Sequence, residues 1–196
     1  MPTDVAHFDD YATRLSSVLK SFDWSDVAKL ADDMADCAKT NRQVFLCGNG
    51  GSAGNAIHLA NDFLYAWSKR PGQGLRVHAL PANAAVGTCL ANDEGYDQIF
   101  ALQLSVQADP GDILICFSGS GNSPNIICAL EEAKQIGMSS YSVLGFDGGK
   151  AKALSTVAIH FETDDMQIAE DAQLIIGHMI VQYLHKRRDE LAKAKN

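Results

Sequence analysis

The sequence is short of several things that would announce a function class. No apolar run approaches the roughly 20 residues needed to cross a bilayer, so a membrane-spanning protein is not expected. Basic residues are outnumbered: 16 Lys and Arg stand against 24 Asp and Glu, a formal charge of −8. Non-specific nucleic-acid binding needs a positive field, and this balance opposes it. The N-terminal stretch MPTDVAHFDDYATRL is acidic and lacks the charged-then-apolar pattern of an export signal. No CxxC pair occurs, and the five cysteines (Cys37, Cys47, Cys89, Cys116, Cys128) lie far apart. Most sit in apolar segments such as VFLCG and ILICF, which predicts buried free thiols rather than disulfides or a cysteine metal site. A reducing, cytoplasmic setting is expected. No linker-like or low-complexity stretch divides the 196 residues, so one domain is expected over 1–196, with a helical segment at 1–40 and an α/β core at 41–196.

What is present is ordinary for a globular chain, with 46% hydrophobic and 20% charged residues, enough apolar surface to offset the entropy of ordering. Two amphipathic segments come first, with apolar residues at helical spacing at Phe8, Tyr11, Leu15, Val18 and Leu19, then at Val27, Leu30, Met34 and Cys37. Short β-rich runs follow at 43–47, 75–80, 112–117, 140–144 and 158–161. Helical stretches are expected at 52–67, 92–106, 123–135 and 150–154, and a last helix at about 166–191. Strands alternating with helices predict an α/β three-layer sandwich, with a central, mostly parallel five-stranded sheet covered on both faces.

Two units repeat one arrangement of apolar strand, Gly/Ser/Asn loop and helix: FLCGNGGSAGNAI and ICFSGSGNSPNII. In open α/β sheets ligands bind beyond the carboxyl ends of the strands, where both loops lie. In the second loop, Ser118-Gly119-Ser120-Gly121-Asn122-Ser123-Pro124, Ser123 suits an N-cap and Pro124 the first helical position. Exposed amides and the positive end of that helix favour an anion, and the serine hydroxyls add neutral donors. The loop has no Arg or Lys, so a phosphate there would be held mainly by amides and hydroxyls. The first loop, Gly48-Asn49-Gly50-Gly51-Ser52, allows close backbone approach to a ligand, but it is neither a Walker motif nor a GxGxxG dinucleotide loop. Taken singly, each loop also reads as a tight strand-to-helix turn.

Among the histidines, His7, His78, His160 and His185 read as structural or exposed. His58 and Asp62 share a helix face at i and i+4, about 6 Å apart along the axis, so both can reach one metal or substrate. A simple surface hydrogen bond is the other reading of that pair. His178 lies in the apolar run LIIGHMIVQYL, where a core histidine is the default. Glu170, eight residues earlier, would lie about 12 Å from it on a straight helix, too far to chelate one ion. Either the helix begins irregularly near Glu170 or one of the two groups serves a neighbouring subunit.

The combination GNGGSAGNAIHLAND, LANDEGYDQIF, SGSGNSPN, GFDGGK and IAEDAQLIIGHMI resembles the sugar isomerase (SIS) fold, a flavodoxin-like architecture, and more narrowly the phosphoheptose isomerase family. The resemblance runs from about residue 44 to 184, preceded by two N-terminal helices as in that family. It implies conversion of sedoheptulose 7-phosphate to D-glycero-D-manno-heptose 7-phosphate, with His58, Asp62, Glu170 and His178 around a zinc ion and Asp62 and His178 in the proton transfers. It further implies phosphate at Ser118, Gly119, Ser120 and Ser123, and the sugar chain at Asn49, Gly50, Gly51, Ser52, Asn92 and Asp93. Asp62 stands where the family has glutamate, Glu170 where it has glutamine, and Ala66 where it usually has an arginine. These departures keep another phosphosugar, such as a pentose 5-phosphate, in view. Relatives that only bind the replication initiator or sense sugar phosphates are the non-enzymatic alternative, and retention of His178 beside His58 favours chemistry. The long apolar final helix and the N-terminal helices exceed what one small sheet can cover, so packing against other subunits is expected; the resemblance implies a homotetramer with sites at the interfaces.

Overall fold

The computed structural model describes residues 5–194. Two helices lead, α1 (Val5–Ser21) and α2 (Ser25–Thr40), followed by β1 (Gln43–Gly48), α3 (Gly50–Asn61), β2 (Arg76–Ala79), α4 (Ala84–Asp93) and α5 (Ala101–Gln107). The second half runs β3 (Ile113–Ser118), α6 (Pro124–Ile136), β4 (Ser139–Leu144), α7 (Gly149–Leu154), β5 (Val157–His160), α8 (Met166–Lys186) and α9 (Arg188–Ala194). All five strands pair in parallel, in the order β2-β1-β3-β4-β5. The chain leaves β1 outward to β2 and returns on its other side to β3. The connections after β1 and β3 therefore diverge to opposite faces and leave a crevice beyond their carboxyl ends.

Side chains alternate across each strand, so the sheet feeds two cores. Val44 and Leu46 of β1 and Ile113, Ile115 and Phe117 of β3 face the core shared with α2, α3 and α8. Phe45, Cys47, Leu114 and Cys116 face the opposite core, with α5, α6 and α7. Burial on both faces is why these strands read as continuous apolar runs rather than alternating ones. The five cysteines are free thiols, with Cys37, Cys47 and Cys116 buried, Cys128 half-buried and Cys89 exposed. Burial pushes the Cys37 thiol up to about 12. Among the described residues no helix is long and apolar enough to cross a membrane.

Three expected elements differ from those observed. The helix expected over 92–106 is two: α4 ends at Asp93, Gly95 takes φ +108, and α5 starts only at Ala101. The first of these helices is hard to see because Ala, Val, Cys and Leu are spread round it rather than set against a polar face, and none is fully buried, though Leu90 and Ala91 pack half-buried on the core; Asn83 caps it by accepting from the Val86 amide. The last helix breaks at Arg187, whose guanidinium turns to Glu190, Asp32 and the Tyr183 hydroxyl. The helix expected to 67 is α-helical only to Asn61 and continues as a π turn over Asp62–Ala66, with the Trp67 amide donating to the Asp62 carbonyl at 3.3 Å.

One contact brings α3 and α8 together. A Cβ at Gly177 would stand 2.2 Å from Cδ2 of Leu59. Leu59 is fully buried among Ala56, Phe63, Ile176 and Ile180, so it has no room to turn aside. Gly177→Val should therefore lower stability by about 1–3 kcal/mol, the usual cost of overpacking a core, with Gly177→Ala falling between it and the parent. Thermal unfolding of the three proteins checks this; a Val variant as stable as the parent would show that the two helices are not in close contact.

Candidate active site

Three side chains converge where α3 and α8 pack. His58 lies in the last turn of α3, Asp62 opens the π turn one helical turn later, and His178 follows Gly177 on α8. The Nε2 atoms of the two histidines are 3.0 Å apart. Oδ2 of Asp62 is 3.5 Å from the first and 3.6 Å from the second. Asn61 donates to the other carboxylate oxygen, Oδ1, at 3.1 Å, which leaves Oδ2 turned toward the imidazoles. Two ring nitrogens this close require a proton or a cation between them, since two bare lone pairs would repel.

The donor set suits a metal. Two imidazole nitrogens and a carboxylate oxygen with an open fourth position is a familiar ligand set for catalytic zinc, and bonds of about 2.0–2.1 Å in a tetrahedron place ligand atoms about 3.3 Å apart. Among the described residues, His58, Asp62 and His178 form the one group of three or more His, Cys, Asp or Glu side chains close enough to share an ion. Glu170 is not in it. The helix is regular from Met166 to Lys186, so the expected two-turn separation from His178 stands, and an irregular start near Glu170 is ruled out.

Glu170 instead faces the first loop. A Cβ on Gly51 would fall 2.2 Å from its Oε2, so the carboxylate lies directly on the Gly51 backbone. It lines a cavity of about 270 Å³ between the two loops, together with Asn49, Gly50, Ser52, Ser118, Gly119, Ser120, Ser123 and Met166. Most of the residues expected to hold phosphate and sugar thus border a single space. Asn92 and Asp93 do not. They lie exposed in the last turn of α4, where Asn92 donates to Asp93 at 2.8 Å and this bond, ahead of one from Cys89, holds the Asp93 carboxyl below its usual range.

The second loop is held from within. Ser118 Oγ accepts from the Gly121 amide at 3.0 Å, and Gly121, at φ +63, sits so close to the Gly148 carbonyl that only glycine fits. Ser123 occupies the N-cap position of α6 with Pro124 next; its hydroxyl makes no capping bond, and since the Ile126 and Ile127 amides donate to the Ser123 carbonyl, the Asn125 amide and the Ser123 hydroxyl are the groups left for a ligand.

Sequence reasoning missed two groups. Asn125 is buried and exchanges two hydrogen bonds with Asn49, at 2.8 and 2.9 Å, bridging the loops across the crevice, and the Tyr96 hydroxyl adds a third bond to Asn49 Oδ1 at 3.0 Å. An asparagine in the first turn of a loop-bounded helix was the available signal. Gln173 is also buried, accepting from Asn55, with its own Nε2 unpartnered. The remaining four histidines have local partners: His7 meets Phe8 edge-on, His78 stacks on Phe45 and pairs with Gln43, His160 meets the Phe146 carbonyl, and His185 meets the Trp67 carbonyl.

Comparison with known proteins agrees with this geometry. Residues 7–145 match the SIS domain family. A phosphoheptose isomerase of Chlorobaculum parvum is 33% identical over 174 residues, 88% of this chain and 83% of that one. The structure of a phosphoheptose isomerase from Francisella tularensis superposes with a TM-score of 0.86 at 24% identity, over 93% of this chain and 96% of that one. One from Neisseria gonorrhoeae gives 0.83 at 26% identity over the same shares. With an SIS domain matched over most of its length and a relative of this identity aligned nearly end to end, the chain belongs to the phosphoheptose isomerase family of SIS-domain proteins.

Proposed function

We propose that the protein is an aldose–ketose isomerase that converts sedoheptulose 7-phosphate to D-glycero-D-manno-heptose 7-phosphate. The observation that carries this is the convergence of His58, Asp62 and His178 on one point between α3 and α8, the same two helices that bring Gly51 and Glu170 to the loop cavity. A protein that only bound sugar phosphates would have no need of two imidazoles and a carboxylate aimed at one point.

The reaction removes a proton from C1 of the ketose and delivers one to C2, while the O1 proton passes to O2; no net oxidation occurs. It needs a base beside the carbon, an acid beside the oxygen and stabilisation of the enediolate. We assign the proton transfers to Asp62 and His178, whose side chains are 17% and 46% exposed and so remain open to a substrate. The shorter Asp62 still brings its Oδ2 to 3.5 and 3.6 Å from the two imidazoles. His58, Asp62 and His178 are the residues that would hold zinc. Bound there, the ion would polarise the carbonyl and hydroxyl oxygens. Glu170, which faces the cavity, is given a part in binding the sugar rather than the metal.

Phosphate is placed on Ser118, Gly119, Ser120 and Ser123, and the sugar chain on Asn49, Gly50, Gly51 and Ser52, with Asn92 and Asp93 closing on it only if a second copy or a movement of α4 brings them near. Exposed Ile57, Leu64, Tyr65 and Met179 flank the three converging residues in sequence, which supports packing of another subunit against the site; the resemblance to phosphoheptose isomerases extends this reading to a cytoplasmic homotetramer.

Asp62→Asn and His178→Asn should each lower kcat by about 10²–10⁴-fold, the range for losing a general acid or base, with circular dichroism unchanged. The readout is NMR of sedoheptulose 7-phosphate conversion, and an active Asn variant would remove that residue from the proton transfers. Chelation should abolish turnover and returned zinc restore it, while His58→Ala should lose zinc on dialysis as measured by metal analysis. Turnover that survives demonstrated metal removal would end the zinc assignment. Absence of turnover in the zinc-loaded protein, with a pentose 5-phosphate isomerised instead, would move the substrate to the shorter sugar.

A further inference from the structure

The cavity between the loops has two unlike walls. One is the second loop with the start of α6, where the Ser120 and Ser123 hydroxyls and the positive end of the helix form a surface with no charged side chain. The other is the first loop with the start of α3. On its own that helix end would attract an anion as strongly as the other. Here it already has one: both Glu170 oxygens lie within 2.6 Å of where a Gly51 Cβ would be. Neither Lys nor Arg lines the cavity to neutralise the carboxylate.

We infer that Glu170 sets the charge selectivity of the site. The cavity accepts a phosphosugar with a single anionic end, seated on Ser118–Ser123, and rejects a second anionic group on the sugar, as in sugar bisphosphates. The neutral hydroxyls of a polyol can donate to the Glu170 carboxylate; a second phosphate cannot. Two like charges about 6 Å apart at an effective dielectric of about 20 weaken binding by roughly a hundredfold, and screening through the open mouth of a half-buried site brings this to about tenfold. Gly51 is part of the device, because only a residue without a side chain lets the carboxylate lie on the helix end.

The inference rests on the phosphate lying on the second loop, and the experiment separates the two. Dissociation constants for sedoheptulose 7-phosphate and sedoheptulose 1,7-bisphosphate are measured by ligand-observed NMR on the full chain, as the parent, Glu170→Gln and Glu170→Ala. The parent should bind the bisphosphate at least about tenfold more weakly than the monophosphate. Both variants should narrow that gap to within about threefold, mainly by strengthening the bisphosphate. The alanine variant keeps the test open if glutamine packs poorly on Gly51. The same ratio in parent and variants, or a parent that prefers the bisphosphate, would overturn the inference. Ser120→Ala with Ser123→Ala should weaken both ligands about tenfold. Monophosphate binding untouched by that change would remove the phosphate assignment and the charge selectivity with it.

Discussion

The distance between α3 and α8 governs this molecule, and the absence of a side chain at Gly177 sets it. With Leu59 filling the place a Cβ would take, the two helices approach closely enough for His58 and His178, one residue away on each helix, to bring their Nε2 atoms to 3.0 Å. Any larger residue at 177 would press on the Leu59 side chain and push the two helices apart. The contact belongs to the larger of the two cores, so the same packing that stabilises the sheet against α2, α3 and α8 also sets the geometry of the three converging side chains. Stability and chemistry share one constraint here, which is why the site can stand half-exposed at its polar end and still be rigid at its base.

The second organising element is the crevice between β1 and β3. Parallel pairing carries both loops to one edge of the sheet, and each leads into a helix that begins beside the space between them. Left alone, the two helix ends would be near-equivalent anion sites. The Glu170 carboxylate breaks that equivalence, so the phosphate and sugar ends of a ligand face different fields.

Much of this was legible in the sequence, for definite reasons. Strands buried on both faces appear as unbroken apolar runs, and the Gly/Ser/Asn clusters that follow them mark the loops. The i, i+4 spacing alone put His58 and Asp62 on one face. Helix α4 was illegible because it is small and apolar nearly all round, with only Leu90 and Ala91 packing half-buried on the core, so its periodicity is weak. The nearness of His178 to His58 came from the family resemblance and not from spacing: 120 residues separate them, and an imidazole within LIIGHMIV looks like any core histidine. The glycine before it held the information, since a residue that weakens a helix needs a packing reason to be there. Arithmetic on the helical rise already kept Glu170 from His178; which way its carboxylate turned depended on the Gly51 contact, a long-range fact.

The bridge between the loops is made of two carboxamides, Asn49 and Asn125, each donating to and accepting from the other. Neither group gains or loses a proton anywhere in the range where proteins stay folded. The spacing of the loops is thus set by a pair of groups that carry no charge.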